Sequence, residues 1–207
     1  MRRLILFGDS IFDNAAYVQP GEPDVAAHLR ARLPAAEWQV ELRAVDGAIA
    51  SEVPVQLAAA TIGHSDILVM SAGGNNALGS IALLSDPQPY AISEVLAQFY
   101  KIKESFRAAY TATLDALLSY QRPTIVCTVY SPQFDEALLQ QTAEAALSVF
   151  NDVIMQEAAR RRVPVIDLRL VCTEAAHFAN PIEPSNEGGA RIAEAIVATV
   201  MRLGAQP

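Results

Sequence analysis

Histidine and cysteine are scarce in this chain of 207 residues, which contains three histidines and two cysteines. The histidines lie far apart, at His28, His64 and His177, and none forms a short spaced pair with another histidine or with a cysteine. Because zinc-type sites usually draw His and Cys ligands from such spaced pairs, the sequence predicts no metal site. The cysteines, Cys127 and Cys172, lie in or beside apolar runs, which predicts buried free thiols rather than reactive ones.

Basic residues and long apolar stretches are also few. Lysine and arginine total 15 against 23 aspartates and glutamates, which gives a formal net charge of −8. Since nucleic-acid binding requires clustered positive charge, we expect no nucleic-acid partner. The apolar run before Gly8 is only Leu4–Phe7, too short for a signal-peptide core, and no stretch approaches the length of a membrane span. We therefore expect a cytoplasmic protein without a membrane-spanning segment.

Apolar residues are abundant, at 52% of the chain, and short apolar runs alternate with helical patterns. The predicted strands are Leu4–Phe7, Gln39–Val45, Ile67–Met70, Thr124–Val129 and Pro164–Leu168. The predicted helices are Asp24–Arg32, Ser51–Ala60, Ile92–Tyr120, Leu138–Arg161 and Asn186–Leu203. Continuous apolar strands alternating with helices predict a parallel five-stranded sheet covered on both faces, a three-layer α/β/α domain that spans residues 1–207.

Three of the loops that follow these strands carry polar or glycine-rich sequences. Ser10 follows the first strand after Gly8, Gly47 follows the second, and Gly73-Gly74-Asn75-Asn76 follows the third. The carboxyl ends of parallel strands meet at one edge of a sheet, so we expect these loops to lie together. A serine nucleophile requires N–H donors directed at the developing oxyanion. The pattern predicts an acyl-transfer site in which Ser10 attacks, with the Gly47 N–H and the Asn75 side chain as donors.

Gly8-Asp9-Ser10, Gly47 and Gly73-Gly74-Asn75 resemble three consecutive sequence blocks of the SGNH (GDSL-type) hydrolases. The resemblance continues through Val163–Asp167 and Pro184–Ala190, in the order of the family and over nearly the whole chain. It implies a flavodoxin-like α/β/α domain that hydrolyses esters or related acyl bonds without a cofactor. It also implies that Ser10 is the nucleophile, and that the N–H of Ser10, Gly47 and Asn75 form the oxyanion hole.

The chain departs from the family pattern in two places. The third block ends Asn75-Asn76 where the family has Asn-Asp, a change that we expect to affect support of the loop rather than the chemistry. The last block of the family carries Asp-x-x-His, which supplies the catalytic base and the acid that orients it. Here Asn180 occupies the position of the acid and Glu183 that of the histidine. The identity of the base is therefore open.

Three interpretations of the base compete. Glu183 is the first: a free glutamate, with a pKa near about 4.3, is a poor acceptor for the serine proton, but burial raises that value, and Asn180 is available to donate a hydrogen bond to it. His177 is the second, with a glutamate of the same loop orienting its ring. In the third, the site does not hydrolyse efficiently and binds an ester, acyl or glycan ligand. His28 and His64 are expected to be structural.

The substrate is only weakly indicated. Leu78–Glu104, which includes Pro87, Pro89, Tyr90, Phe99 and Tyr100, is a candidate lid or pocket wall. Nothing in it resembles a long apolar lid, so we expect a small soluble ester or acyl-sugar as substrate. Functions of other classes fit less well. Asp9 is not followed two residues later by the second aspartate of haloacid-type phosphatases, and it places an acid where a phosphate loop would bind. The acidic cluster of a receiver domain is also missing after the first strand.

Overall fold

Five strands form a single parallel sheet. The computed structural model describes residues 1–80 and 91–204. Within these ranges the sheet has the order β2-β1-β3-β4-β5. Its strands are β1 (Arg2–Gly8), β2 (Trp38–Leu42), β3 (Ile67–Ser71), β4 (Thr124–Cys127) and β5 (Val165–Ile166). This is the flavodoxin-like strand order, so the predicted three-layer α/β fold is confirmed.

Helices cover both faces of the sheet. They are α1 (Val25–Arg32), α2 (Val53–Ala58), α3 (Gly74–Leu78), α4 (Ile92–Leu118), α5 (Ala137–Arg160) and α6 (Asn186–Gly204). α1 packs against α6 on one face, whereas α4 packs against α2 and α5 on the other. No helix in the described ranges is long and apolar enough to cross a membrane.

The core lies on both sides of the two central strands. Leu4–Phe7 in β1 and Leu68–Met70 in β3 have no exposed surface, because helices cover both of their faces. Phe106 of α4 and Phe150 of α5 pack beside them, with ring centroids 5.0 Å apart. Burial of such continuous apolar strands is the main driving force for this architecture.

Three predicted strands end earlier than expected. β2 stops at Leu42 rather than Val45, because the N–H groups of Arg43 and Ala44 both donate to the Leu6 carbonyl and interrupt the regular ladder. β4 stops at Cys127 rather than Val129, where the Asn151 side chain bonds to the Val129 N–H. β5 stops at Ile166 rather than Leu168, where a 3₁₀ turn begins. Apolar composition continues past these points, so periodicity alone does not mark the ends.

The central strands end level with one another at the carboxyl edge of the sheet. Gly8 of β1 pairs with Ser71 of β3, and Ser71 pairs with Cys127 of β4. The loops that follow the strands therefore start side by side. A small antiparallel hairpin, β6 (Phe178–Asn180) and β7 (Glu183–Pro184), lies outside the main sheet and carries the last sequence block.

Candidate active site

Ser10 lies just beyond the end of β1, in a turn that only glycine permits at its first position. Gly8 has a φ of +127°, and a side chain there would collide with the carbonyl oxygen of Ser71. The Gln56 side chain bonds to both backbone groups of Gly8, at 2.8 Å to the N–H and 2.8 Å to the carbonyl. The Asp9 N–H donates to the Ser71 carbonyl at 3.2 Å. The turn is thus fixed on two sides, and it leaves Ser10 only 7% exposed.

Each of the three donors predicted for an oxyanion hole has an N–H group that no hydrogen bond in the described structure occupies. Among the described residues, no hydrogen bond occupies the N–H of Ser10 or of Gly47. Gly47 adopts a φ of +81°, the left-handed region that favours glycine. The Asn75 amide donates one N–H to the Ala48 carbonyl at 3.0 Å, which orients the amide and leaves its second N–H available.

These donors are divided between two adjacent surfaces. Asn75 and Ser10 line the same cavity, whereas Gly47 lines a neighbouring open recess with Asp46 and Glu52. Asn76, the departure in the third block, accepts the Ala50 N–H at 2.9 Å and so supports the loop that follows Gly47.

The cavity beside Ser10 is small and largely apolar. Its volume is about 90 Å³, which is room for several water molecules. The apolar wall comes from α3, the loop after β4, α5 and the hairpin: Ala77, Leu78, Val129, Pro132, Phe134, Ala143, Ala146, Leu147 and Ile182. Its polar lining includes Asp9, Ser10, Asn75 and Glu183. This space next to the Ser10 hydroxyl is large enough for a short acyl group.

Glu183 lies in this cavity with Ser10 and is 6% exposed. Burial raises the pKa of its carboxyl to about 7, the Ser10 hydroxyl opposes the shift, and the charge of Asp46 adds to it. In the described structure, no hydrogen bond of standard geometry joins the Ser10 and Glu183 side chains. Within the described residues, Oε2 of Glu183 is buried and has no hydrogen-bond partner.

Asn180 does not contact the Glu183 carboxyl in the way expected of an orienting residue. Its Oδ1 accepts the N–H groups of Ile182 and Glu183, each at 3.0 Å, and so closes the turn between β6 and β7. The tight turn brings the two N–H groups within reach of Oδ1. Among the described residues, Nδ2 of Asn180 makes no hydrogen bond to the Glu183 carboxyl.

His177 lies in the loop before β6 and does not line the cavity. It is 6% exposed, and its Nδ1 accepts the N–H groups of Thr173 and Glu174, each at 3.2 Å. This arrangement places the ring proton on Nε2 and uses the ring as a cap for a 3₁₀ turn. The structure therefore brings Glu183, and not His177, together with Ser10.

His28 joins two helices. Its Nε2 donates to Oδ1 of Asn186 at 2.8 Å, which connects α1 to the start of α6. His64 lies in the turn before β3, where its carbonyl accepts from Arg122 at 2.7 Å.

Asp9 contributes a second buried carboxyl to the cavity. From the sequence, Asp9 is expected only to stabilise the turn. That role is present, since its Oδ1 accepts the Ile11 N–H at 3.2 Å. Burial raises the pKa of Asp9 to about 7, the Ile11 N–H opposes the shift, and the charge of Glu183 adds to it. Two carboxyls with raised pKa values therefore share one site, a pattern that is common where acid–base chemistry occurs.

Several supporting residues have no signal in the sequence. The Tyr130 hydroxyl donates to the Ile182 carbonyl at 2.7 Å, and Nδ2 of Asn14 donates to the Pro184 carbonyl at 3.1 Å. Their partners lie 52 and 170 positions away along the chain, so local patterns could not identify them.

The candidate lid is only partly described. Leu78, at its start, lines the cavity, whereas Tyr100 of α4 is 65% exposed and does not. Pro87, Pro89 and Tyr90 lie outside the described residues. In the described ranges, no group of three or more histidine, cysteine, aspartate or glutamate side chains is placed to hold a metal ion.

Comparison with known proteins identifies similar sequences and folds. The profile of the GDSL-like Lipase/Acylhydrolase family matches residues 6–191. No curated protein matches the sequence.

Solved structures of the same fold include proteins described as lipolytic. A member of the lipolytic G-D-S-L family from Veillonella parvula superposes with a TM-score of 0.71 at 14% identity, covering 98% of this chain and 100% of that one. The acetyl xylan esterase AlAXEase gives 0.72 at 15% identity, covering 96% and 99%. An extracellular lipase from Streptomyces rimosus gives 0.69 at 17% identity, also covering 96% and 99%. At these identities the likeness concerns the fold.

Proposed function

Because the chain belongs to the GDSL-like lipase/acylhydrolase family, we propose that it hydrolyses small esters, with Ser10 as nucleophile and Glu183 as base. One observation carries the proposal: a buried carboxyl with an unpaired oxygen and a pKa near 7 lines the same small cavity as Ser10. A base is most effective when its pKa lies near the working pH. The burial of Glu183 therefore offsets the weakness of an ordinary glutamate.

The reaction proceeds in two steps. Ser10 Oγ attacks the ester carbonyl while its proton passes to Glu183, and the oxyanion is stabilised by the N–H of Ser10, the N–H of Gly47 and the Asn75 amide. Collapse of the intermediate expels the alcohol, which takes the proton back from Glu183. Water then attacks the acyl-enzyme, with Glu183 accepting its proton. When this second intermediate collapses, Glu183 returns the proton to Ser10 Oγ, so the carboxylic acid leaves and both the hydroxyl and the carboxylate are regenerated.

The size of the cavity limits the acyl group. A volume of about 90 Å³ with an apolar lining suits a short acyl chain such as an acetyl group, while the open recess at Gly47 leaves room for a larger alcohol. We therefore propose esters of short carboxylic acids, including acyl-sugars, as substrates. The acetyl xylan esterase among the similar structures acts on a substrate of that kind, as its name states.

A serine-directed fluorophosphonate probe tests the proposal. Wild-type protein should be labelled and Ser10→Ala should not. Glu183→Gln should lose most of the labelling rate, on the order of 10²–10⁴-fold for loss of a general base, and His177→Ala should retain it. If His177→Ala loses labelling and Glu183→Gln does not, His177 is the base. If folded wild-type protein is not labelled at any pH from mildly acidic to alkaline, the site is a binding pocket for an ester, acyl or glycan ligand.

A further inference from the structure

The turn that carries Glu183 is held at three of its carbonyl groups by residues from other loops. The Pro181 carbonyl accepts from the Gln133 N–H at 2.8 Å. The Ile182 carbonyl accepts from the Tyr130 hydroxyl at 2.7 Å, and the Pro184 carbonyl from Asn14 at 3.1 Å. The backbone on both sides of Glu183 is therefore attached to the loops that follow β4 and β1.

Within the parts of the chain that the structure describes, no side-chain hydrogen bond orients the Glu183 carboxyl, in contrast to its backbone. Its Oε2 has no partner among the described residues, and Asn180 uses its oxygen on backbone N–H groups. A base that is not oriented through its own functional group must be placed by its backbone. The residues that hold the turn then take over the task that an acid performs in an Asp-x-x-His block.

We propose that Tyr130 is a positioning residue that holds the Ile182–Glu183 peptide, and with it the Glu183 carboxyl, beside Ser10. The inference rests on the proposed function, in which Glu183 is the base. Tyr130 is 3% exposed and lines the cavity. Its ring packs edge-on against Phe178 of β6, with centroids 5.2 Å apart and an interplanar angle of 87°. The ring therefore contacts β6, and the hydroxyl contacts the turn between β6 and β7.

Tyr130 is itself fixed at its backbone. The Asn151 side chain of α5 bonds to both backbone groups of the preceding residue, at 2.9 Å to the Val129 N–H and 2.8 Å to the Val129 carbonyl. Because the backbone beside Tyr130 is held in this way, the buried tyrosine fixes the hairpin relative to the edge of the sheet. Burial also raises the pKa of the Tyr130 hydroxyl well above its ordinary value, so the hydroxyl keeps its proton and remains a donor throughout the working pH range.

Tyr130→Phe removes the hydroxyl and keeps the ring, and Tyr110→Phe is a matched control. Tyr110 is completely buried, and its hydroxyl has no hydrogen-bond partner among the described residues. With a p-nitrophenyl ester of a short acid, Tyr130→Phe should lower kcat on the order of tenfold with little change in KM, because misplacement affects the proton transfer more than binding. The acidic limb of its pH profile should move to lower pH, since a looser turn lets water reach Glu183. Tyr110→Phe should change neither.

The same substitution in a Glu183→Gln background separates positioning from general damage. If Tyr130 acts through Glu183, the double variant is no slower than Glu183→Gln alone, measured as kcat or as the rate of fluorophosphonate labelling. A further tenfold loss in the double variant, or an unchanged kcat and pH profile in Tyr130→Phe, overturns the inference while the base assignment stands. Full activity of Glu183→Gln overturns the base assignment and the inference together.

Discussion

At the scale of single residues, the two departures in the last sequence block make chemical sense as a pair. A histidine that accepts a proton becomes a cation, and a neighbouring aspartate stabilises that cation. A glutamate that accepts a proton becomes neutral and needs no anion beside it. A carboxylate at position 180 would only raise the pKa of Glu183 further through like-charge repulsion. Asn180, which uses its oxygen to close the turn, is compatible with a carboxylate base.

In the proposed mechanism, the pH dependence of hydrolysis follows from the Glu183 carboxyl. Only its ionised form accepts the serine proton, so kcat/KM should rise with pH and reach half of its plateau near pH 7, the value to which burial raises this pKa. The profile of initial rates against pH measures the midpoint. A midpoint near the pKa of an exposed glutamate, about 4.3, would contradict the proposed burial of the base.

Asp46→Asn provides a control for that profile. The charge of Asp46 raises the pKa of Glu183, while its Oδ2 accepts the Tyr17 hydroxyl at 2.8 Å, a bond that an asparagine oxygen can also accept. Removing the charge should therefore move the midpoint to lower pH without a loss of the plateau rate. An unchanged midpoint would show that another group controls the rise of kcat/KM with pH.

At the scale of secondary-structure elements, two buried side-chain amides satisfy backbone groups at the end of β1 and just beyond the end of β4. Gln56 of α2 bonds to both backbone groups of Gly8, and Asn151 of α5 bonds to both of Val129. Each amide supplies one donor and one acceptor, as a neighbouring strand would, so no backbone polar group is buried unpaired at these points. β1 and β4 can therefore end at these points, and the loops that carry the candidate site begin there.

The wall that α5 contributes to the cavity should determine the length of the acyl chain. Ala146 faces the cavity with Leu147 and Ala143. Ala146→Leu adds three carbon atoms to a space of about 90 Å³, so it should abolish hydrolysis of butyrate and longer esters before that of acetate. The ratio of kcat/KM for acetate and butyrate p-nitrophenyl esters measures this.

Ser148→Leu, on an exposed part of the same helix, is the control and should leave the ratio unchanged. An equal loss of activity on both esters in Ala146→Leu would mean that the acyl group does not enter this cavity.

At the scale of the whole molecule, the buried carboxyls link function to stability. Asp9 and Glu183 both have pKa values near 7 in the folded protein, above those of the unfolded chain. The folded state therefore binds more protons than the unfolded state between about pH 4 and pH 7. The contribution of these two groups to the free energy of unfolding therefore falls as the pH rises through that window. They are predicted to destabilise the folded state at the pH where the proposed base is ionised.

Glu183→Gln should remove part of this cost. It should raise Tm by a few degrees at pH 8 and leave it nearly unchanged near pH 4, because a shift of one pKa unit corresponds to about 1.4 kcal/mol. Thermal unfolding at the two pH values provides the measurement. Asp135→Asn, at an exposed position, should change Tm at neither pH. A Glu183→Gln variant that is equally destabilised at both would show that the carboxyl makes a favourable interaction in the folded state.

Much of the architecture and part of the site could be predicted from the sequence. Five apolar runs separated by helical patterns indicate a parallel sheet, since only burial on both faces accounts for strands such as Leu4–Phe7. Strand order then brings the loops at Gly8, Gly47 and Asn75 to one edge. Strand ends could not be predicted, because they depend on side chains such as Asn151, which lies 22 positions from the residue it bonds.

By itself, the sequence determined the fold class and which loops meet, because these follow from periodicity and from the geometry of parallel strands. Only the tertiary structure decided between Glu183 and His177 as the neighbour of Ser10, since both lie in one loop and their distances from Ser10 depend on how that loop folds back. It also decided the acidity of Glu183. A pKa near 7 arises from exclusion of water by residues of several elements, and no local pattern encodes that exclusion.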